Sequence, residues 1–408
     1  MASAVSSKVN EFRYSQTDTL IIGGGIAGLA CARHLSDANI PFTLVTDTLG
    51  GRFERSAQGH YFGAAMLNND HVKMKKYAKK STIRQPSHFQ AYLWDGEKPR
   101  LAMLSASPIG FFKGLKAFGP FLKSMKKLRE QMPHTCLTEL VARDPLLSRL
   151  ISQSAEDFAK EHGIEIISDK LFGPSAGAIF MVDWREMNAF FFCLGATWIG
   201  LGSLTGNGLN YHDWSDLVPK LTKGYADQIV IETVESVREI NGGEAYQATS
   251  GSRTWRAKNL VLALPGSARV AFGQDIGIED TNPARDIDLH VFHIKGKRRA
   301  FYKPGCSLLL GMKVQVPMLF VLPGEDGPVD VLYANTGEPD FSTYYEDYKI
   351  IVHKHWSPAL QLTKGPFRKL QPKPHVFMIG DHNIGGLEES YLTGLFAANK
   401  IIADRPSS

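Results

Sequence analysis

The chain has 408 residues, with 46 Lys and Arg against 41 Asp and Glu for a net charge of +5, and 43% of its residues are apolar. That length allows a large core and two domains, and the composition, with 38 glycines, excludes disordered and fibrous classes in favour of a globular α/β protein. The mild positive balance comes with no basic and aromatic module for nucleic acid, and Cys31, Cys136, Cys193 and Cys306 show neither CxxC nor zinc spacing, which reads as reduced thiols in a cytosolic setting.

In chain order, the first sixteen residues lack the apolar core of a secretory signal, so a cytoplasmic location is expected. Asp18 and Thr19 then lead into Leu20, Ile21 and Ile22, the glycines Gly23, Gly24, Gly25 and Gly28, and the small-residue run LACARHL. This pattern predicts a strand turning sharply into a helix whose first amides face a dinucleotide pyrophosphate. Gly23 permits the turn, Gly25 lets a ligand reach the backbone and Gly28 lets helix and strand pack closely, with Ile26 and Ala27 between them. A second strand, Phe42 to Val45, follows. Asp47 stands where a ribose hydroxyl is expected to find an acid, with Thr46 as a weaker substitute.

Residues 76–224 lose this alternation and read as helix-rich, including Leu140 to His162, stopped by Gly163. From Phe111 onward, Phe111, Leu115, Phe118, Leu122 and Met125 fall on one helical face with lysines toward the others, and Pro120 is expected to bend or divide the helix. The segment over 111–130 is either a covering helix or a peripheral membrane contact. The charge-free stretch toward the end of the region, including NAFFFCLGATWIGLG, suits a buried helix lining an apolar pocket or plain core better than a membrane span.

Strand patterns return at Gln228 to Ile240, with a turn at Gly242 and Gly243, and at Ala257 to Leu264, ended by Pro265 and Gly266. Residues 290–350 read as mostly extended, including Arg299 to Lys303, Ser307 to Val314 and Val329 to Ala334. His375 to Ile379 forms a last short strand before Gly380, Asp381 and a helix from Glu388 to Ala403. Nucleotide-binding fragments thus lie at both ends and in the middle. The expected fold is a Rossmann-like α/β domain (1–75, 225–290 and 366–408) interleaved with a mixed α+β substrate domain (76–224 and 291–365).

Three ordered segments, IIGGGIAGLACARHL with PFTLVTDTLGGRF, IVIETVESV with NLVLALPG, and HVFMIGDHNIGGLEESYLTGLFAANKI, resemble the flavoprotein amine oxidase and phytoene desaturase superfamily, whose members hold FAD in an extended conformation. They cover about a quarter of the chain. The resemblance implies that Gly23, Gly25 and Gly28 face the pyrophosphate and that Gly50, Gly51 and Arg52 form a second phosphate-side signature, Arg52 supplying positive charge. It implies that Val234 pairs with adenine through its backbone, that Gly380 and Asp381 reach the ribitol and phosphate region, and that Leu387 begins a helix whose amide end lies near the flavin pyrimidine. Tyr61, Phe62, Gly63 and Ala64 resemble the segment beside the isoalloxazine.

The chain departs from the family pattern at Thr46, in place of a glutamate, at Gly386, where monoamine oxidases place an aromatic-cage ring, and at Glu389, in place of a glycine. His382, Trp356, Lys303 and Tyr61 are the candidate catalytic residues, each weighed against a structural role; His353 and His355 are too few to indicate a metal. No second GxGxxG indicates a separate nicotinamide domain. The implied function is FAD-dependent oxidation or desaturation of an apolar or amphipathic small molecule, with oxygen or a quinone as acceptor. The alternatives are isomerisation of an unsaturated lipid-like substrate, amine oxidation and a non-enzymatic flavoprotein scaffold.

Overall fold

The computed structural model describes residues 13–405 except 58, 60, 64–65, 68–70, 80–90, 96, 102–103, 105–106, 202–209, 252, 280–283, 300–307, 312–317, 323–328, 336 and 364. Strand β1 (Arg13–Gly24) is at the centre of one sheet, and its Leu20, Ile21 and Ile22 are buried because both faces of that sheet are covered. Helix α1 (Ile26–Asp37) leads to β2 (Phe42–Leu49), which lies parallel to β1 on one side; the strand Arg253–Leu262 lies parallel on the other. Ile229–Ile231 extends the sheet beyond β2, and Val376–Met378 pairs with the end of Arg253–Leu262. Ala245–Thr249 and Ser236–Ile240 complete it as antiparallel strands.

The chain leaves this sheet and returns to it twice, and each excursion contributes to a second sheet. Its order is Tyr345–Thr363, Ala284–Arg298, Val329–Ala334, Met318–Leu322, Leu308–Gly311, Ala91–Trp94 and Pro99–Leu101. The helices between residues 108 and 201 form a third body of structure around buried Phe118, Phe121, Phe158, Phe172, Phe190 and Phe192. The expected interleaving of a nucleotide-type α/β unit with a mixed α+β unit is therefore present.

The last helix, Leu387–Ala403, returns to cover α1. The two backbones approach so closely that a Cβ at Gly394 would overlap the carbonyl oxygen of Ala27. Small residues on the α1 face, among them Ala27, Ala30 and Cys31, are what permit this. Cys31 and Cys193 are fully buried, and burial raises both thiols far above their ordinary titration range.

Local differences from the sequence expectation have local causes. The span Leu140 to His162 is not one helix but parts of three, Leu137–Arg143, Pro145–Ser152 and Ala155–His162. The carboxylate of Asp144 accepts from the amides of Leu146 and Leu147, and Ser154 caps the third, so the chain restarts twice before the left-handed Gly163 stops it. Pro120 does not divide its helix, which runs unbroken over Pro108–Gln131 with Ser107 as its cap. Its predicted apolar face turns inward: Phe118 and Met125 are buried beside Gly114, Ala117, Phe121 and Leu128, while Ile109 and Phe112 face solvent.

Gln228 to Ile240 splits into two strands that end on opposite edges of the first sheet. Ala91–Trp94 and Pro99–Leu101 form a hairpin in a region expected to be helical. The apolar segment after Asn188 is a buried helix, Ala189–Gly195, followed by wider π-helical turns over Ala196–Leu201. Among the described residues no helix is long and apolar enough to cross a membrane.

Overpacking the contact between α1 and the last helix should be costly. Gly394→Val is expected to lose roughly 3 kcal/mol of stability, measured as a lowered denaturation midpoint, whereas Gly119→Ala, at an exposed position with open space around it, should be close to neutral.

Candidate functional site

The site begins where β1 ends. Gly23 has φ +106°, and a Cβ there would overlap the carbonyl oxygen of Ala263 on the neighbouring strand. A Cβ at Gly28 would overlap the carbonyl oxygen of Gly23, so the first turn of α1 sits directly on the strand it follows. Gly25, the residue before α1, has open space within 4 Å of where its Cβ would lie, and no side chain caps the helix. The free amides of Ile26 and Ala27 and the positive end of the helix therefore face an unobstructed crevice. Neighbouring strands leave β1 in opposite directions here, which is where open α/β sheets bind ligands.

Thr46 is spent on structure. Its hydroxyl oxygen accepts from the amide of Gly24 at 2.9 Å and lies 2.7 Å from the carbonyl of Thr48, to which it donates. A Cβ at Gly24 would meet the Thr46 side chain at 2.8 Å, so the pair is tightly matched. Asp47 is exposed beside it, one carboxylate oxygen accepting from the Thr48 amide at 2.6 Å. Val234 is buried, and the nearby Glu232 amide donates to the carbonyl of Thr46 at 2.9 Å, which ties this segment to β2.

Across the crevice, Arg52 and Asp381 form an ion pair at 2.7 Å. Arg52 also donates to the carbonyl of Ala359 on the second sheet. Burial alone would raise the Asp381 carboxyl; the Arg52 guanidinium, through its charge and hydrogen bond, outweighs this and holds it below the ordinary carboxylate range. Gly50 and Gly51, both at positive φ, shape the turn that delivers Arg52. Gly380, at φ +125° with open space around it, delivers Asp381, and its amide donates to Thr393 at 2.9 Å.

Arg52, Asp381 and His382 line one small cleft with Pro265, Gly266 and Gln361. His382 is 3% exposed, and neither ring nitrogen has a hydrogen-bond partner. Burial, reinforced by the charges of Arg269 and Arg368, keeps its pKa well below the usual range, so the imidazole is neutral. Its loop is pinned by Asn383, which accepts from the Arg368 amide at 2.7 Å and donates to the Arg368 carbonyl at 2.8 Å.

Trp356 and Gly63 meet at the same junction: a Cβ on Gly63 would lie 3.7 Å from the Trp356 ring and would overlap the Arg52 carbonyl oxygen. Tyr333 donates to the carbonyls of Phe62 and Gly63 at 3.0 and 3.1 Å, fastening this loop to the second sheet. Tyr61 packs with Phe53 and is hydrogen-bonded to Arg55, which makes it a strut of the loop. Ala64 and Lys303 lie outside the described residues.

Leu387 opens the last helix, and the two acids after it are buried, a feature that sequence reasoning missed. Glu388 accepts from the amides of Lys73 and Met74, both at 2.8 Å. Glu389 pairs with Arg129 at 2.7 Å, and its second oxygen lies unpartnered against Gly386, which Trp198 also approaches. Elsewhere, His353 and His355 stack with His290 in a row on the second sheet, but among the described residues no group of three His, Cys, Asp or Glu is placed to hold a metal ion.

Two acid-side effects follow from these environments. His382 binds a proton more readily when unfolded, so its contribution to stability is full above about pH 6.5 and is lost as pH falls toward its depressed folded value. Asp381 keeps its contribution down to about pH 4 and loses it only below that, as its own folded pKa is crossed. A thermal-melt series against pH should therefore show two acid limbs, His382→Gln flattening the upper one and Asp381→Asn the lower one.

No protein-family model matches the chain, and no curated protein matches its sequence. Solved structures do match over nearly the whole length. They include a fatty acid isomerase from P. acnes that produces CLA (TM-score 0.69, 13% identity, 95% of this chain and 98% of that one) and putrescine oxidase bound to putrescine (0.66, 13%, 96% and 100%). Cyclohexylamine oxidase from Brevibacterium oxydans matches similarly (0.65, 14%, 95% and 98%). At these identities the likeness is one of fold: the chain shares the interleaved α/β architecture of these oxidases and isomerases.

Proposed function

We propose that the protein binds FAD in the crevice between Gly25 and Asp381 and is an FAD-dependent oxidoreductase acting on a C–H bond of an apolar or amphipathic small molecule. The observation that carries the cofactor assignment is the convergence of an uncapped, unobstructed helix end at Gly25 with the Arg52 and Asp381 pair and the unpartnered His382. Gly23, Gly25, Ile26, Ala27 and Gly28 would face the pyrophosphate, with Arg52 close enough to add a fixed, planar donor. Asp47 is the residue with a carboxylate to offer a ribose hydroxyl, and Asp381 would serve the ribitol region. FAD held there would supply the hydride-accepting chemistry.

The protein's own contribution is positioning and proton handling. A neutral, buried imidazole at His382 keeps one unprotonated ring nitrogen that can accept a proton, a capacity that a protonated histidine lacks. Trp356 and the loop at Gly63 wall the junction of the two sheets. The flavoprotein resemblance of the three sequence segments and the fold shared with oxidases and an isomerase support the same reading.

Isomerisation is the second reading, favoured by the likeness in fold to a fatty acid isomerase and by the lack of a second dinucleotide fingerprint in the sequence. Amine oxidation is less well supported, because Gly386 offers no ring and is backed by Glu389 and Trp198.

Two measurements check this proposal. Arg52→Ala and Asp381→Ala should each retain FAD at least tenfold less well through gel filtration, since a charged hydrogen bond of about 1.5–3 kcal/mol is removed; full flavin content in both variants contradicts the site. Anaerobic mixing with a panel of polyenes, fatty acids, terpenoids and amines then separates the reactions. Lasting flavin bleaching marks oxidation or desaturation, and substrate turnover without lasting bleaching marks isomerisation. Protein that binds no FAD leaves only the scaffold reading.

A further inference from the structure

The helix Pro108–Gln131 has an outer face that the site does not use. Read along that face, Ile109 and Phe112 are followed by Lys113, Lys116, Lys123, Lys126 and Lys127, all exposed, with Glu130 at the far end. The spacing of three and four residues places them in one stripe. None of the five lysines forms an ion pair among the described residues; Lys113 donates to the carbonyl of Gly163 at 3.3 Å. The apolar end is broadened by a neighbour. Gly110 packs against Ile167, with 3.4 Å between its Cβ position and the isoleucine, so the short helix Glu165–Ile167 brings Ile166 to the same end.

Ile109 is 73% exposed, Phe112 68% and Ile166 75%, and Leu104, three residues before the helix cap, is 82% exposed. Large apolar side chains this open are individually unremarkable but are informative when grouped and adjoined by one sign of charge. We propose that this end of the helix docks the protein on an anionic lipid bilayer. Ile109, Phe112 and Ile166 enter the boundary between headgroups and acyl chains, and the row of lysines lies along the headgroups. The chemistry selects that occupant: an anionic surface satisfies unpaired lysines, and a bilayer also takes up the apolar tip, which a nucleic acid would leave in water. The stripe differs from the inward face carrying Phe118 and Met125, which is committed to the core.

Co-sedimentation of the full chain with vesicles tests this. Phosphatidylcholine vesicles containing about one-third phosphatidylserine should bind it in a salt-sensitive way, and pure phosphatidylcholine should bind it at least tenfold more weakly. Ile109→Glu with Phe112→Glu should weaken anionic-vesicle binding at least tenfold, as should Lys123→Glu with Lys126→Glu and Lys127→Glu. Unchanged melting temperatures and flavin content would show that both variants are folded. Absence of binding to anionic vesicles overturns the proposal. So does loss in the lysine variant alone, which would mark a purely electrostatic patch for another polyanion.

Discussion

The guanidinium of Arg52 joins three parts of the chain that are far apart in sequence. It stands in the turn after β2, bonds to the carbonyl of Ala359 in the long strand of the second sheet, and pairs with Asp381 in the loop before the last helix. A partly buried cation of this kind is tolerated only if its donors are matched, so the turn, the strand and the loop hold one another in place. The crevice beside Gly25 and the cleft under His382 owe their shape to that arrangement. Both sheets take part in it, which is why the site lies at their junction.

How much of this could be read in the sequence depends on how local each cause is. The turn at Gly23 to Gly28 was legible because the requirement acts within six residues: strand, positive φ and close helix contact all leave a mark in adjacent letters. Gly163 as a stop and Pro265 with Gly266 as a strand end were legible for the same reason. The breaks at Asp144 and Ser154 were missed because an apolar rhythm continues across them while the caps interrupt the backbone. The apolar face of Pro108–Gln131 was legible from its periodicity, and Phe111, Leu115, Phe118, Leu122 and Met125 all pack on the core, but periodicity did not show that Ile109 and Phe112 would be left outside. Small Gly114 lets the helix press against Phe172.

The buried acids were the least legible. Glu388 and Glu389 look like ordinary acids in the first turn of a helix, where exposed carboxylates are common. Their burial depends on partners hundreds of residues away: the amides of Lys73 and Met74 in one case, Arg129 in the other. Burial raises the Glu388 carboxyl even though two amides oppose the shift. The first turn of this helix thus buries two acids, one held by backbone amides and the other balanced by Arg129.

The cover that Leu387–Ala403 places over α1 also bears on how the molecule comes into being. The alanine face of α1 is made about 350 residues before the helix that shields it. The partner strands of β1 are similarly staggered, with Arg253–Leu262 arriving long after β2. Contacts this distant in sequence close slowly, and the surfaces awaiting them are adhesive in the meantime. The nascent chain must therefore carry an open sheet edge until Arg253–Leu262 is made and an unshielded helix until Leu387–Ala403 is made. A product cut short before residue 387 would keep the unshielded helix, which makes it a natural client for chaperones and proteases.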